Sequence, residues 1–392
     1  MMDNRFDTLI NRRGTASYKW DSATDNDILP MWVADMDFAT APVIVRALQE
    51  RVSHGIFGYT RVPDSYYEAV TGWFGRRHGW NMKKDWVIYT SGVVPALSAV
   101  IKALTVPGDK VIVQGPVYNC FFSSIRNNGC EVVSNSLVYH DRTYTMDFDD
   151  LERKASDPRA RLLLLCNPHN PAGRVWTGDE LIRLADICRR HHVRIVSDEI
   201  HCEIVRPGHR YTPFGSLPGV MDEGAIVCCS PSKAFNTAGL QIANIVCADA
   251  DVRKKIDRAI NINEVCDVNP FGVVALQAAY SDEGEEWLCA LNRYLNDNYQ
   301  ALQAFFDKHL PQFPVVRLEG TYLVWVDCSC LNMPSEEIER ELVDNERVWI
   351  NAGDMYGPEG TAFIRINIAC PRVRMEEGLK RIARGLLRLQ NR

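Results

Sequence analysis

Short runs that are apolar on both strand faces are the feature of this 392-residue chain that most restricts its fold. They lie at Val111–Val113, Arg161–Cys166, Arg194–Val196, Ala225–Cys229 and Ile242–Cys247. Strands without polar alternation are typical of parallel sheets, because helices cover both faces of such a sheet. A helix-like segment, residues 177–191, lies between two of these runs. The pattern therefore predicts an α/β protein with a mostly parallel sheet covered by helices.

The character of the sequence changes after residue 282. A long helical stretch runs from Glu285 to about His309, and a final helix closes the chain. Strand candidates between them are Val315–Leu318, Tyr322–Val326 and Phe363–Ile368. We therefore predict a large domain over residues 53–282 and a smaller α+β domain made of residues 1–52 and 283–392. A hydrophobic content of 46% is enough to build both cores.

Charge and cysteine content narrow the class of protein. The formal net charge is −6, and the basic runs at Arg189–His192 and Lys380–Arg384 fit helix ends and solvated helix faces, so we expect no nucleic-acid partner. The 13 cysteines are scattered through apolar segments without a CxxC pair. This predicts buried thiols, a reducing compartment and no metal site. With a polar N-terminus and no long apolar run, we expect a cytoplasmic protein outside the membrane.

Three polar side chains follow consecutive apolar runs: Asn170, Asp198 and Lys233. Ligands of parallel sheets bind at the carboxyl ends of strands, so these side chains should share one site. An amide, a carboxylate and an amine match the needs of pyridoxal 5'-phosphate (PLP). The amine bonds covalently to the aldehyde, and the carboxylate keeps the pyridine nitrogen protonated. Taken alone, Asp198 would also fit a helix N-cap and Asn170 a turn.

The order and spacing of these residues, with gaps of 28 and 35 positions, resemble the fold type I PLP enzymes of the aspartate aminotransferase superfamily. The resemblance implies a seven-stranded sheet in the large domain and a homodimer with active sites at the subunit interface. It implies that Asn170 contacts the phenolate oxygen of the cofactor, with a cis bond before Pro171. It also implies that Tyr118 stacks on the pyridine ring and that Tyr59 reaches the neighbouring subunit's phosphate. A core tyrosine and a locally packed loop aromatic are the respective alternatives.

The phosphate is expected where a strand enters a helix in Thr90-Ser-Gly-Val93. The backbone amides of Gly92 and Val93 would bind the dianion at the helix N-terminus, and Ser230 and Ser232 would add hydroxyl donors. Many superfamily members carry an arginine eight residues after the lysine as a further phosphate ligand. This chain has Gln241 at that position.

Arg365 lies in the apolar strand candidate Phe363–Ile368 and should have an anionic partner, because an unpaired buried charge is costly. The resemblance implies a bidentate clamp on the substrate α-carboxylate, and an internal salt bridge is the alternative. Trp32 is expected to line the substrate pocket unless it is buried for packing.

Three segments resemble the MalY/PatB-type subfamily of cystathionine β-lyases, also called C–S lyases. They are Leu29-Pro-Met-Trp-Val-Ala-Asp-Met-Asp-Phe38, Thr90-Ser-Gly-Val-Val-Pro-Ala-Leu97 and Ser197-Asp-Glu-Ile-His201. In this subfamily His201 stands at the cofactor where many aminotransferases have a tyrosine. The resemblance implies α,β-elimination of L-cystathionine or a related cysteine S-conjugate, with Lys233 as the base. An aminotransferase is the alternative, and a PLP-binding regulatory protein with little turnover is the third possibility.

Overall fold

The computed structural model describes residues 4–23, 25–262 and 267–391. Its strands are β1 (Leu29–Pro30), β2 (Val87–Thr90), β3 (Lys110–Val113), β4 (Glu131–Ser134), β5 (Val138–His140), β6 (Thr143–Thr145), β7 (Ala160–Cys166), β8 (Arg194–Asp198), β9 (Ile226–Cys229), β10 (Ala243–Cys247), β11 (Leu323–Asp327), β12 (Val348–Trp349), β13 (Asn351–Ala352) and β14 (Phe363–Asn367). Its α-helices are α1 (Tyr18–Asp21), α2 (Pro42–Ser53), α3 (Asp64–His78), α4 (Val93–Leu104), α5 (Cys120–Asn127), α6 (Phe148–Ala155), α7 (Gly178–Arg190), α8 (Ala250–Asn261), α9 (Pro270–Ala279), α10 (Asp282–His309), α11 (Ser335–Glu346) and α12 (Arg372–Gln390).

Seven strands form the main sheet, in the order β2-β10-β9-β8-β7-β3-β4. Strands β9, β8, β7, β3 and β4 run parallel to one another. Strand β10 is antiparallel to both β2 and β9, so β2 runs in the same direction as β9. The carboxyl ends of six strands therefore meet at one edge. This confirms the predicted α/β fold with a mostly parallel, seven-stranded sheet.

The sequence accounts for these elements locally. Strand β7 is almost entirely buried, as its run of leucines requires, and β9 and β10 are buried along their whole length. Helix α7 begins with a capping box in which Thr177 and Glu180 satisfy each other's backbone N–H groups. It ends on Arg189 and Arg190, where positive charge suits the helix dipole.

A smaller sheet, in the order β11-β14-β13, lies in the C-terminal part of the chain. The N-terminal segment joins this part, because β1 pairs in parallel with β12. The division into domains at residues 53 and 282 stays a prediction. Its ranges include residues 1–3, 24, 263–266 and 392, which lie outside the described residues.

The strand predicted at Val315–Leu318 is wrong. Only an isolated bridge joins Val315 to Val326, and the Leu318 N–H donates to the Tyr299 hydroxyl, 3.2 Å away, instead of to a strand. The Tyr299 hydroxyl therefore takes the place of the backbone carbonyl to which Leu318 would donate in a β-strand. Among the helices of the described ranges, none combines the length and apolarity needed to cross a bilayer.

Candidate active site

The edge formed by the carboxyl strand ends gathers most of the predicted site residues. Asp198 is the last residue of β8, and Lys233 lies four residues beyond the end of β9. Asn170 and Tyr118 follow β7 and β3 in the same way. Because all four strands run in one direction, the loops that carry these side chains leave the sheet on the same side.

Lys233 is held by the N-terminal segment rather than by an acid. Its Nζ donates a hydrogen bond of 2.7 Å to the carbonyl oxygen of Ala34. Burial, assisted by the positive charge of Arg365, lowers the pKa of Lys233 from 10.5 to about 8. A substantial fraction of this amine is therefore neutral, and able to act as nucleophile or base, near physiological pH.

Two consecutive buried carboxyl groups, Asp198 and Glu199, differ in their partners. Glu199 accepts hydrogen bonds from Asn167, Ser197 and the backbone N–H of Phe214, as well as from a tyrosine hydroxyl at Tyr211. The only hydrogen bond to the Asp198 carboxylate from the described residues comes from the Ile200 N–H, at 3.1 Å.

Burial raises the pKa of Asp198 to about 7, against smaller opposing effects of the Ile200 N–H and the Lys233 charge. A carboxylate in this position is costly to ionise without a cationic partner. Burial raises the pKa of Glu199 to about 7 as well, so Asp198 is distinguished by its single hydrogen-bond donor, which fits a ligand that brings a positively charged N–H group.

Arg365 on β14 has no carboxylate within ion-pair distance in the part of the chain that the structure describes. Instead, its guanidinium donates to three neutral oxygens: Asn170 Oδ1 at 3.2 Å, Asn351 Oδ1 at 2.7 Å and the Trp32 carbonyl at 2.6 Å. Its Nε is buried without a hydrogen-bond partner. Only 4% of Arg365 is exposed. The internal salt bridge that the sequence left open as the alternative is therefore not found among these residues, and the positive charge is left for a ligand.

His201 and Tyr118 lie close to the same charges. Burial, followed by the charges of Lys233 and Arg365, lowers the pKa of His201, so its imidazole is neutral. The His201 Nδ1 is buried without a hydrogen-bond partner among the described residues. Tyr118 is half-buried, and burial raises the pKa of its phenol, so it is an uncharged ring. Both groups can offer hydrogen bonds or ring faces without adding charge.

The predicted phosphate subsite lies where β2 enters α4. Because α4 begins at Val93, directly after Gly92, the N–H groups of its first turn have no acceptor within the helix. The hydroxyls of Ser230 and Ser232 are 2.7 Å apart in the loop after β9, the strand parallel to β2. Gln241 is exposed and has a left-handed backbone conformation, with φ of 53°. The arrangement offers neutral donors to an anion.

Tyr59 is not gathered with the other residues within one chain, since 95% of it is exposed. It is not packed locally, which removes the alternative that the sequence left open. Its neighbours Ile56 and Phe57 are also exposed, by 66% and 54%. The role of Tyr59 toward a neighbouring subunit stays a prediction.

Sequence reasoning missed the residues that hold the segment carrying Ala34. The side-chain amide of Asn367, two residues after Arg365, donates to the carbonyls of Val33 and Asp35. Asn236, three residues after Lys233, exchanges hydrogen bonds with the backbone of Met36. Their closeness in sequence, Asn367 to Arg365 and Asn236 to Lys233, was the signal that could have identified them. The two asparagines therefore position the Ala34 carbonyl, which accepts the hydrogen bond from the Lys233 amine.

Tyr322 was missed as well, because it begins the apolar strand candidate Tyr322–Val326, whose residues were interpreted as part of the hydrophobic core. Its hydroxyl donates to the Ala34 carbonyl at 3.0 Å, and its ring meets that of His201 with centroids 6.1 Å apart. Trp32, predicted for the substrate pocket, stacks on Trp349. Within the described ranges there is no cluster of three or more His, Cys, Asp or Glu residues suited to a metal ion.

Known proteins resemble this chain over nearly its whole length. The model of the family "Aminotransferase class I and II" matches residues 26–382. Cystathionine beta-lyase PatB of Bacillus subtilis is 40% identical over 385 residues, which cover 97% of this chain and 99% of the relative. A PLP-bound putative aminotransferase from Clostridium difficile has a TM-score of 0.94 at 42% identity, covering 97% and 99% of the two chains. The PLP-bound C-S lyase from Staphylococcus hominis has a TM-score of 0.91 at 36% identity, covering 97% and 98%.

The lowered pKa of Lys233 can be measured on the protein without cofactor. With lysine amines labelled by [13C]methyl groups, the NMR signal absent from Lys233→Gln should titrate near pH 8. Removing the neighbouring positive charge by Arg365→Gln should move this midpoint to higher pH, because the charged amine is then less disfavoured. A midpoint near 10.5 in the wild type, or one unaffected by Arg365→Gln, would contradict the electrostatic description of the site.

Proposed function

Because the chain belongs to the aminotransferase class I and II family, we propose that it is a PLP-dependent carbon–sulfur lyase acting on L-cystathionine or a related cysteine S-conjugate. In this reaction the Cα proton and the Cβ–S bond are lost, and the sulfur leaves as a thiol. Water then releases the remaining three carbons as pyruvate and the nitrogen as ammonia. The resemblance to cystathionine β-lyases is confirmed over nearly the whole chain, since PatB matches 97% of it.

The observation that carries the proposal is the contrast between Asp198 and its neighbour Glu199. Glu199 has four hydrogen-bond donors and is satisfied within the protein, whereas Asp198 is buried with one. A protonated pyridine nitrogen would supply the missing positive N–H. When bound, PLP accepts the electron pair left at Cα, and a negatively charged Asp198 would favour this by keeping the ring nitrogen protonated.

Lys233 would serve as the covalent anchor of the cofactor and as the base that takes the Cα proton. Its pKa of about 8 suits both tasks, because roughly a tenth of the amine is neutral at pH 7, far more than for an ordinary lysine. The Ala34 carbonyl, 2.7 Å from Nζ, would orient the amine and accept its hydrogen once a proton has been taken up. No other base is required from the described residues.

Substrate binding would depend on Arg365, whose neutral partners leave its charge available for the α-carboxylate. Asn170 would join the two ligands, because its Oδ1 accepts from Arg365 and its loop follows β7, the strand that pairs with the end of β8 at Asp198. His201 and Tyr118 would complete the cofactor's surroundings. Gly92, Val93 and Ser232 would bind the phosphate through neutral donors, and Ser230 would join them by turning its hydroxyl away from the Ile242 carbonyl.

A homodimer is part of the proposal. The support is the exposed apolar run Ile56–Phe57 beside Tyr59, which is an unusual surface for a monomer. In the dimer, Tyr59 would reach the phosphate of the neighbouring subunit and add a donor where Gln241 replaces an arginine.

The reaction is tested by incubating the purified, PLP-loaded protein with L-cystathionine. Homocysteine thiol and pyruvate should appear in equal amounts without any added keto acid. Asp198→Asn should lower kcat at least ~100-fold, equivalent to roughly 2.7 kcal/mol of transition-state stabilisation. The control Asp186→Asn changes a half-exposed acid on α7 and should leave turnover unchanged. Amino transfer to an added keto acid, with no thiol released, would overturn the lyase in favour of an aminotransferase.

The shared site is tested with mixed dimers. Tyr59→Phe should mainly speed the loss of PLP, and a severely impaired Tyr59 variant mixed with Lys233→Ala should recover activity. One of the two sites then receives an intact Lys233 from one subunit and an intact Tyr59 from the other.

Mixing Lys233→Ala with Arg365→Ala is the matched control and should restore nothing, since both residues serve the same subunit's site. If subunit exchange is demonstrated and the Tyr59 pair also stays inactive, the shared-site proposal is wrong.

A further inference from the structure

Three aromatic side chains, Tyr18, Trp32 and Trp349, form a continuous surface that we call the aromatic wall. The indoles of Trp32 and Trp349 are stacked, with centroids 4.4 Å apart and planes inclined by 13°. Tyr18 continues the wall, with its ring 5.2 Å from that of Trp32. Tyr18 is 73% exposed, and both tryptophans are partly exposed. A group of adjoining aromatic rings that stays exposed to solvent is an apolar patch, and such patches often mark a binding site.

The wall adjoins the residue expected to bind the substrate carboxylate. The Trp32 carbonyl accepts a hydrogen bond of 2.6 Å from Arg365. Asn351 contacts the same guanidinium and lies directly opposite Arg365 in the small sheet. Side chains two residues apart in extended backbone point to the same side, which places Trp349 on the side of Asn351 and Arg365. Trp349 ends β12 and Asn351 begins β13, so the wall begins two residues along the chain from Asn351, a span of roughly 7 Å in extended backbone.

The polar edges of the indoles are already engaged. Trp349 Nε1 donates to Glu339 at 2.7 Å, and Trp32 Nε1 donates to the Lys19 carbonyl at 3.4 Å. Because the two indoles cover one face of each other, only their apolar edges and remaining ring surface are left for a ligand.

The charged groups that touch the wall are engaged as well. Glu339 also accepts the Ala352 N–H at 3.0 Å, and Lys19 is buried in ion pairs with Asp35 and Asp37. Neither Glu339 nor Lys19 is therefore free to form an ion pair with a zwitterionic group of a ligand. The wall is therefore better suited to an apolar, flat substituent than to the zwitterionic end of L-cystathionine, which would be cleaved with less help from this surface.

We propose that the aromatic wall is the subsite for the group on the substrate's sulfur, and that it favours cysteine S-conjugates with an aromatic S-substituent. The proposal rests on the lyase activity proposed above and names its substrate class. With the α-carboxylate on Arg365, the sulfur is three bonds away, so its substituent reaches the distance at which the wall begins. Ring-to-ring contact and sulfur–aromatic contact would both contribute to binding.

The test compares S-benzyl-L-cysteine with S-methyl-L-cysteine, measuring the released thiol. Trp349→Ala should lower kcat/KM for the benzyl substrate about tenfold, while the methyl substrate changes less than about twofold. Comparing variants on the same pair of substrates cancels the different leaving-group chemistry of the two thiols. Trp349→Phe retains a ring and should keep most of the preference. Trp86→Ala removes another partly exposed tryptophan and should not change the ratio. Trp86 directly precedes β2, at the amino end of that strand and so away from the site at the carboxyl ends.

A binding measurement separates this proposal from the proposed reaction. By calorimetry, 3-phenylpropionate should bind the PLP-loaded wild type at least tenfold more tightly than propionate, and Trp349→Ala should lose this advantage. If L-cystathionine and both conjugates are left intact, the lyase is wrong while this measurement still decides the subsite. If both are cleaved but Trp349→Ala changes neither the kcat/KM ratio nor the binding ratio, the subsite is wrong and the lyase stands. A variant that does not fold is replaced by Trp349→Leu in both measurements.

Discussion

The burial of charge without compensation at one sheet edge is the constraint on which the rest of the site depends. Asp198, Lys233 and Arg365 are packed where water screens them poorly, and none of them forms a close ion pair with another described residue. The cost appears as a pKa of about 7 for Asp198 and about 8 for Lys233. Uncompensated charge of this kind is stable only if a rigid scaffold holds it. In the proposed enzyme, the cofactor and substrate supply the opposite charges.

The scaffold is provided by two asparagines as much as by the strands. Asn236 and Asn367 bind the backbone of residues 33–38, so the loop after β9 and the strand that carries Arg365 are both tied to one segment. The same segment is anchored by Asp37, a buried acid paired with Lys19, Arg12 and Arg374. Charges are therefore paired beside the site, where they hold the backbone, and left unpaired within the site, where ligands bind.

The sequence predicted the fold well, because buried parallel strands have no polar alternation and their carboxyl ends must carry any ligand-binding residues. It failed at Val315–Leu318, where a tyrosine hydroxyl provides the hydrogen bond that a strand would have provided. It could name Asn170, Asp198 and Lys233 because each follows a recognisable run. The neutral partners of Arg365, the Ala34 carbonyl and the stack of Trp32 on Trp349 join residues that are far apart in sequence. Such contacts depend on tertiary packing, which no local pattern encodes.

The central claim is that Asp198 is completed by a positively charged ring nitrogen. It is tested most directly by reconstituting the protein with PLP labelled with 15N at the pyridine nitrogen and recording its NMR chemical shift across pH 6–9. The account predicts a protonated nitrogen throughout this range in the wild type and a largely unprotonated one in Asp198→Asn. An unprotonated nitrogen in the wild type, or protonation that does not depend on Asp198, would contradict it.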